Sequence, residues 1–250
     1  MRRHVWIFGP SLAITFTLAV ALAFATRREY AETLAAKVWP AGQFIIPNLN
    51  ISNLEQKSIL LFGDSRIADW NCPTIEGRHV VNAGFRGITS AQLAMGCNDV
   101  LKQTRPQMVV IQVGINDLKL LGIRPELREP VISNCVSNIL TIVRESRQAG
   151  ARVIVTFVWP AGKVSLMRRF VWSDAVDSAI AETNARLQKT LAAEKDATIA
   201  DIFGQMIRRL SITERNQLYS DTLHLKPETY VRLSELLAEK VRPMMQHRTE

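Results

Sequence analysis

Only three cysteines and four histidines stand among the 250 residues. So few thiols exclude a disulfide-built scaffold, the odd number leaves at least one unpaired, and no Cys/His spacing suits a zinc site. Glycine, at 12 residues, is too sparse for a collagen-like chain, and no repeat at solenoid spacing is visible. Acidic residues are outnumbered, 23 Asp+Glu against 31 Lys+Arg, for a formal charge of +8. Four of those bases, Arg2, Arg3, Arg27 and Arg28, flank one apolar run; without them the excess halves to +4. The remainder are spread along the chain without nucleic-acid motifs or interleaved aromatics, so no nucleic-acid partner is expected. What is present is a 47% apolar share, enough for a folded core and incompatible with disorder as the main state.

Val5–Ala25 carries no charge. As a helix it would span about 31 Å, the hydrocarbon thickness of a bilayer. Positive charge is concentrated before it, which predicts the amino terminus in the cytoplasm and the rest outside. An uncleaved signal anchor is the reading adopted, because the run exceeds a signal-peptide core. The small residues Ala23 and Ala25 keep cleavage, and hence secretion, as the alternative. The expected location is a single pass through the inner (cytoplasmic) membrane, with the rest of the chain in the periplasm.

Residues 1–28 are therefore assigned to the anchor. Residues 29–57 form a connector with a short helical stretch, Tyr30–Val38, followed by Pro40, Gly42 and Pro47. Residues 58–250 form the main folded domain. In it, short apolar runs at Ser58–Phe62, His79–Asn82, Gln107–Val113, Arg152–Val158 and Thr198–Ala200 alternate with amphipathic stretches at Thr89–Thr104, Pro130–Ala149, Ser173–Lys195 and Glu228–Val241. This alternation predicts an α/β fold: a three-layer αβα sandwich around a central five-stranded parallel sheet, flavodoxin-like, plus the transmembrane helix.

Ligands of open parallel sheets bind beyond the carboxyl ends of the strands. Those positions hold Gly63-Asp64-Ser65-Arg66, then Gly84-Phe85-Arg86-Gly87, then Gly114-Ile115-Asn116-Asp117, and before the last helix Asp221-Thr222-Leu223-His224. Each block alone reads as an ordinary turn. Together, and in this order, they suit acyl transfer. A serine hydroxyl needs a neighbouring base. His4 lies at the membrane segment, His247 in the polar tail and His79 at the wrong end of a strand, which leaves His224. Asp221 can accept from its Nδ1–H and fix the tautomer. Backbone N–H groups of Ser65 and Gly87 and the Asn116 amide would form the oxyanion hole. Gly84 reads as a turn glycine, Thr89 as a helix N-cap, and Asp64 and Asp117 as organisers of loop hydrogen bonds.

The four blocks resemble the SGNH (GDSL-type) serine hydrolase superfamily over Ser58–Val241. The resemblance implies an enzyme that cleaves ester bonds, with catalytic Ser65, Asp221 and His224, an oxyanion hole of Ser65, Gly87 and Asn116, no metal and no cofactor. Arg66 stands where many members carry Leu, which leaves the substrate class open. The expected activity is a polysaccharide O-acetyl esterase or a related carboxylic-ester hydrolase. Transfer of the acyl group to a polysaccharide, or lysophospholipase or thioesterase action, is the alternative. A metal-dependent phosphoesterase built on Asp64, Asp117, Asp221 and His224, or a non-catalytic carbohydrate-binding module, ranks lower. The expected partners are an acylated polysaccharide or lipid and the membrane. Two apolar-basic segments, Leu118–Arg128 and Trp159–Trp172, border the mouth; the second reads as a solvated loop, with an anionic or carbohydrate substrate or the membrane surface as other uses. Cys72 and Cys97 are equally readable as a pair or as free thiols, and Cys135 as core.

Overall fold

The computed structural model describes residues 8–46, 49, 58–192 and 197–246, without the side chains of 8–12 and 246. The chain begins with α1 (Phe8–Val38), β1 (Ile59–Gly63), α2 (Ser65–Ala68), β2 (Thr74–Ile75) and β3 (Arg78–Gly84). It continues through α3 (Ser90–Met95), α4 (Cys97–Thr104), β4 (Met108–Gln112), α5 (Ile115–Leu118), α6 (Arg128–Gln148) and β5 (Arg152–Thr156). It ends with α7 (Asp174–Leu191), β6 (Ala197–Ala200), α8 (Ile202–Ile207), α9 (Ile212–Gln217) and α10 (Pro227–Gln246).

The sheet order is β2-β3-β1-β4-β5-β6. Five strands are parallel, as predicted, and their order counted along the chain is the flavodoxin-like 2-1-3-4-5. The expected five strands become six, because Thr74–Ile75 pairs antiparallel with Arg78–His79. Glu76 and Gly77, both at positive φ, close that hairpin. Two residues are too few to leave a periodic signal, which is why this edge strand escapes a pattern search.

Alternation along the strands sorts the core into two layers. Leu60, Phe62, Val109, Ile111, Val153 and Val155 face the side covered by α3, α4, α6 and α7. Ile59, Leu61, Met108, Val110 and Ile154 face Trp70, α8 and α10. Both faces are dry, so the strands read as continuous apolar runs. Cys97 is buried in the first layer and Cys72 packs against the second, on the opposite side of the sheet; all three cysteines are free.

Two helical expectations are corrected. The stretch Thr89–Thr104 is two helices meeting at Gly96, where a Cβ would fall 2.4 Å from the Ile46 side chain. Ile46 arrives there from the connector, a contact no local pattern reports. The other concerns the amino terminus, where the helix of the connector and the apolar run are one element, so the boundary drawn at residue 28 falls inside α1. From residue 13 to 30 its side chains are exposed, save the half-buried Ala23 and Arg27, whereas Ala31, Leu34 and Val38 are buried in the first core layer. Among the described residues no helix is long and apolar enough to cross a membrane. Residues 1–7, where the proposed anchor begins and where His4 lies, are outside the described residues, as is His247.

Candidate active site

The nucleophile turn is built by close backbone approach. Gly63 of β1 is in register with Gly84 of β3 and Gln112 of β4, so the three strands end flush. Asp64 caps α2, its Oδ1 accepting from the Arg66 N–H at 2.9 Å, which leaves Ser65 as the first helical residue. A Cβ on Gly84 would fall 2.0 Å from the Ala68 nitrogen, so only hydrogen fits where β3 meets α2.

His224 reaches this turn from 159 residues away, its Nε2 lying 3.0 Å from Ser65 Oγ. On the ring's other side Nδ1 lies 2.8 Å from Asp221 Oδ2. The remaining Asp221 oxygen accepts from the N–H groups of Leu223 (2.6 Å) and His224 (2.8 Å), which folds the Asp-x-x-His segment into a rigid turn. Burial pushes the Asp221 carboxyl up, but the bonds from the His224 ring and the two N–H groups outweigh it and bring it down to about 2. Serine, imidazole and carboxylate are thus in line for proton transfer. His79 is exposed at the amino end of β3, remote from this edge.

Gly87 occupies the third position of the turn Phe85–Ile88, closed by Ile88 N–H to Phe85 O, with φ +73°. Such a turn favours glycine at that position. Asn116 is the second residue of α5 and is buried; its Nδ2 donates to the Ile88 carbonyl at 2.8 Å, which brings it beside the Gly87 loop. One of its two amide N–H groups is therefore spent on the loop, and one remains for a ligand. The N–H groups of Ser65 and Gly87 have no acceptor among the described residues. Thr89 is an N-cap, with Gln92 completing a capping box. Asp117 accepts from Ser90 N (2.9 Å) and Ser90 Oγ (2.6 Å), fastening α5 to α3. Burial first and foremost raises its carboxyl to about 6. Among the described residues no three His, Cys, Asp or Glu side chains gather as a metal site, and the Asp64 and Asp117 carboxylates are engaged in these caps.

Arg66 has a role the sequence does not announce. Rather than facing substrate, it is fully buried, donating through Nε to Leu223 O (3.0 Å) and through its terminal nitrogens to Trp159 O (2.6 Å) and Pro160 O (2.9 Å). Its guanidinium also lies 5.8 Å from the centre of the Trp159 ring. One side chain next to the nucleophile thus holds both the loop after β5 and the residue before His224. Its departure from Leu was the available signal, but spacing says nothing about a charge turning inward. Arg66→Leu strands the Trp159 and Leu223 carbonyls, at about 1–3 kcal/mol for each, whereas the Pro160 carbonyl keeps the Tyr219 hydroxyl at 2.8 Å. We expect a total loss of about 3–5 kcal/mol in urea unfolding, measurable as a shifted midpoint at constant slope.

The family model described as GDSL-like lipase/acylhydrolase matches residues 62–232, which takes in every block above. The chain belongs to that family. This SGNH hydrolase is accordingly an enzyme acting on ester bonds. Its fold is shared with a GDSL-like lipase from Bacteroides thetaiotaomicron (21% identity, 88% of this chain and 99% of that one, TM-score 0.60). It is also shared with the acetylxylan esterase Axe2 from Geobacillus stearothermophilus (17% identity, 74% and 94%, TM-score 0.56). A third similar structure is a carbohydrate acetylesterase from Sinorhizobium meliloti (15% identity, 75% and 99%, TM-score 0.52). No curated protein sequence matches the chain.

Proposed function

We propose that this hydrolase is a membrane-anchored serine esterase of the periplasm that removes acyl groups, acetyl foremost, from exported or cell-surface polysaccharide. The observation that carries the chemistry is the relay from Asp221 through His224 to Ser65, closed at 2.8 Å and 3.0 Å. As Ser65 Oγ attacks the ester carbonyl, its proton passes to His224 Nε2, and Asp221 stabilises the imidazolium. The oxyanion takes hydrogen bonds from Ser65 N–H, Gly87 N–H and the free Asn116 amide N–H. His224 then returns the proton to the departing alcohol, leaving an acyl group on Ser65. Water, activated by the same nitrogen, releases the acid.

The carbohydrate substrate draws its support from the acetylated-carbohydrate esterases that share the fold. The anchor draws its support from the uncharged run in α1 and from a neighbouring loop. Leu166 and Met167 are 81% and 86% exposed, close to the exposed Arg169, and Arg27 Nε donates to the Phe170 carbonyl at 3.1 Å. An apolar, basic tip therefore sits where α1 leaves the domain, suited to an anionic lipid surface. A fluorophosphonate probe applied to membranes holding the full chain tests both parts. We expect one labelled band that stays with the membrane after alkaline washing and disappears in Ser65→Ala. Label released by the wash overturns the anchor, and label that survives Ser65→Ala overturns the nucleophile.

A further inference from the structure

Three cationic side chains converge on the mouth of the site from separate elements. The last turn of α1 is pinned there: Thr89 Oγ1 donates to the Lys37 carbonyl at 2.6 Å, and Asn134 Nδ2 donates to the Val38 carbonyl at 3.0 Å. Lys37 Nζ consequently lies 3.6 Å from where a Cβ on Gly87 would sit, against the turn whose N–H faces the oxyanion. Lys119 follows directly on α5, three residues after Asn116. Arg168 opens the short 3-10 turn Arg168–Phe170 in the loop after β5. That loop packs on the Lys119 turn, since a Cβ on Gly122 would fall 2.4 Å from the Val171 carbonyl.

Lys37, Lys119 and Arg168 are half-buried, and none forms an ion pair among the described residues. Lys119 stands within electrostatic reach of the cations Lys37, Arg168 and Arg66 and of the Asp64 carboxylate. Burial above all brings its amine down to about 8. Asp64, fully buried beneath the nucleophile, acts most strongly of these charges on Lys119, but it is one carboxylate against several cations. An excess of like charge held partly out of water is unfavourable in the free protein and is relieved when an anion enters.

We propose that Lys37, Lys119 and Arg168 form a subsite for an anionic oxyacid group, carboxylate or phosphate, carried by the substrate close to its scissile ester. The proposal rests on Ser65 being the nucleophile of this edge and adds a charge requirement to the polysaccharide reading. It also gives the amino-terminal helix a part in substrate choice, through a residue outside the matched family region.

The test compares esters that differ by one anionic group, using the full chain in neutral detergent. Phenyl acetate is set against 4-acetoxybenzoate and 4-acetoxyphenyl phosphate, and 4-nitrophenyl acetate against its succinate half-ester. We expect at least one anionic ester to exceed its neutral partner in kcat/KM by about tenfold at low salt, and the ratio to shrink as salt is added. The phenyl acetate arms separate carboxylate from phosphate, and the succinate arm places the anion on the acyl side. Lys37→Met, Lys119→Met and Arg168→Met should each lower the favoured ratio severalfold. Each ratio is taken on one preparation, so an incompletely folded variant still reports. Ratios near one for every pair in the wild type, or ratios unmoved by all three substitutions, overturn the subsite. Turnover that survives Ser65→Ala overturns the nucleophile instead.

Discussion

His224→Ala is expected to lower kcat on a simple acetate ester by about 10⁶-fold. The Ser65 hydroxyl is inert at neutral pH unless its proton leaves as the carbon–oxygen bond forms. The ring nitrogen 3.0 Å away is the base the structure provides, and the Asp221 carboxylate contacts the far side of that ring, not the hydroxyl. Ser65→Ala should cost as much, and the double substitution no more than either alone, because the two side chains perform one step together. Steady-state turnover of 4-nitrophenyl acetate by the three variants measures this. A double variant markedly slower than both singles would mean that the two residues act separately. The imidazole is partly exposed, so thermal unfolding should change little and loss of fold will not mimic loss of chemistry.

Asp221→Asn is expected to reduce kcat by about 10⁴-fold while preserving the turn. Its carbonyl oxygen can still accept from the N–H groups of Leu223 and His224, now held by Asp221 at 2.6 and 2.8 Å. The new amide would direct a donor at His224 Nδ1, force the proton onto Nε2, and so present a donor to Ser65 where an acceptor is needed. Acidity offers a second readout. The folded carboxyl, at about 2, lies below its ordinary value of 3.8. Its ionised form therefore contributes stability that is complete above about pH 4 and is lost as pH falls through 2. Denaturant unfolding between those limits should fall more steeply for the wild type than for Asp221→Asn.

The parts legible in the sequence are those where chemistry restricts both residue type and backbone position. Ser65, Gly87 and Asn116 follow strand ends, and Asp221 and His224 precede a helix, so each could be placed on one edge from pattern alone. The two-layer core was equally readable, because a parallel sheet covered on both faces leaves unbroken apolar runs. Other features depend on contacts between distant segments. Gly96 divides a helix because Ile46 packs against it, and β2 is too short to have a period. Arg66 and Lys37 were hidden for a different reason. A long charged side chain is presumed to seek water, and nothing in its spacing reveals that three carbonyls, or a glycine turn, await it.

The unbroken course of α1 has a consequence for how the enzyme meets its surroundings. A flexible tether would let the catalytic pocket sweep a wide volume. Here the helix that emerges from the domain is the same one that sinks Ala31, Leu34 and Val38 into the interior and sets an ammonium beside Gly87. At about 1.5 Å per residue, Lys37 stands about 15 Å along a stiff rod from Arg27. Any body that grips the outer half of that rod fixes the height and tilt of the reaction centre too, so reach is surrendered in exchange for a constant pose.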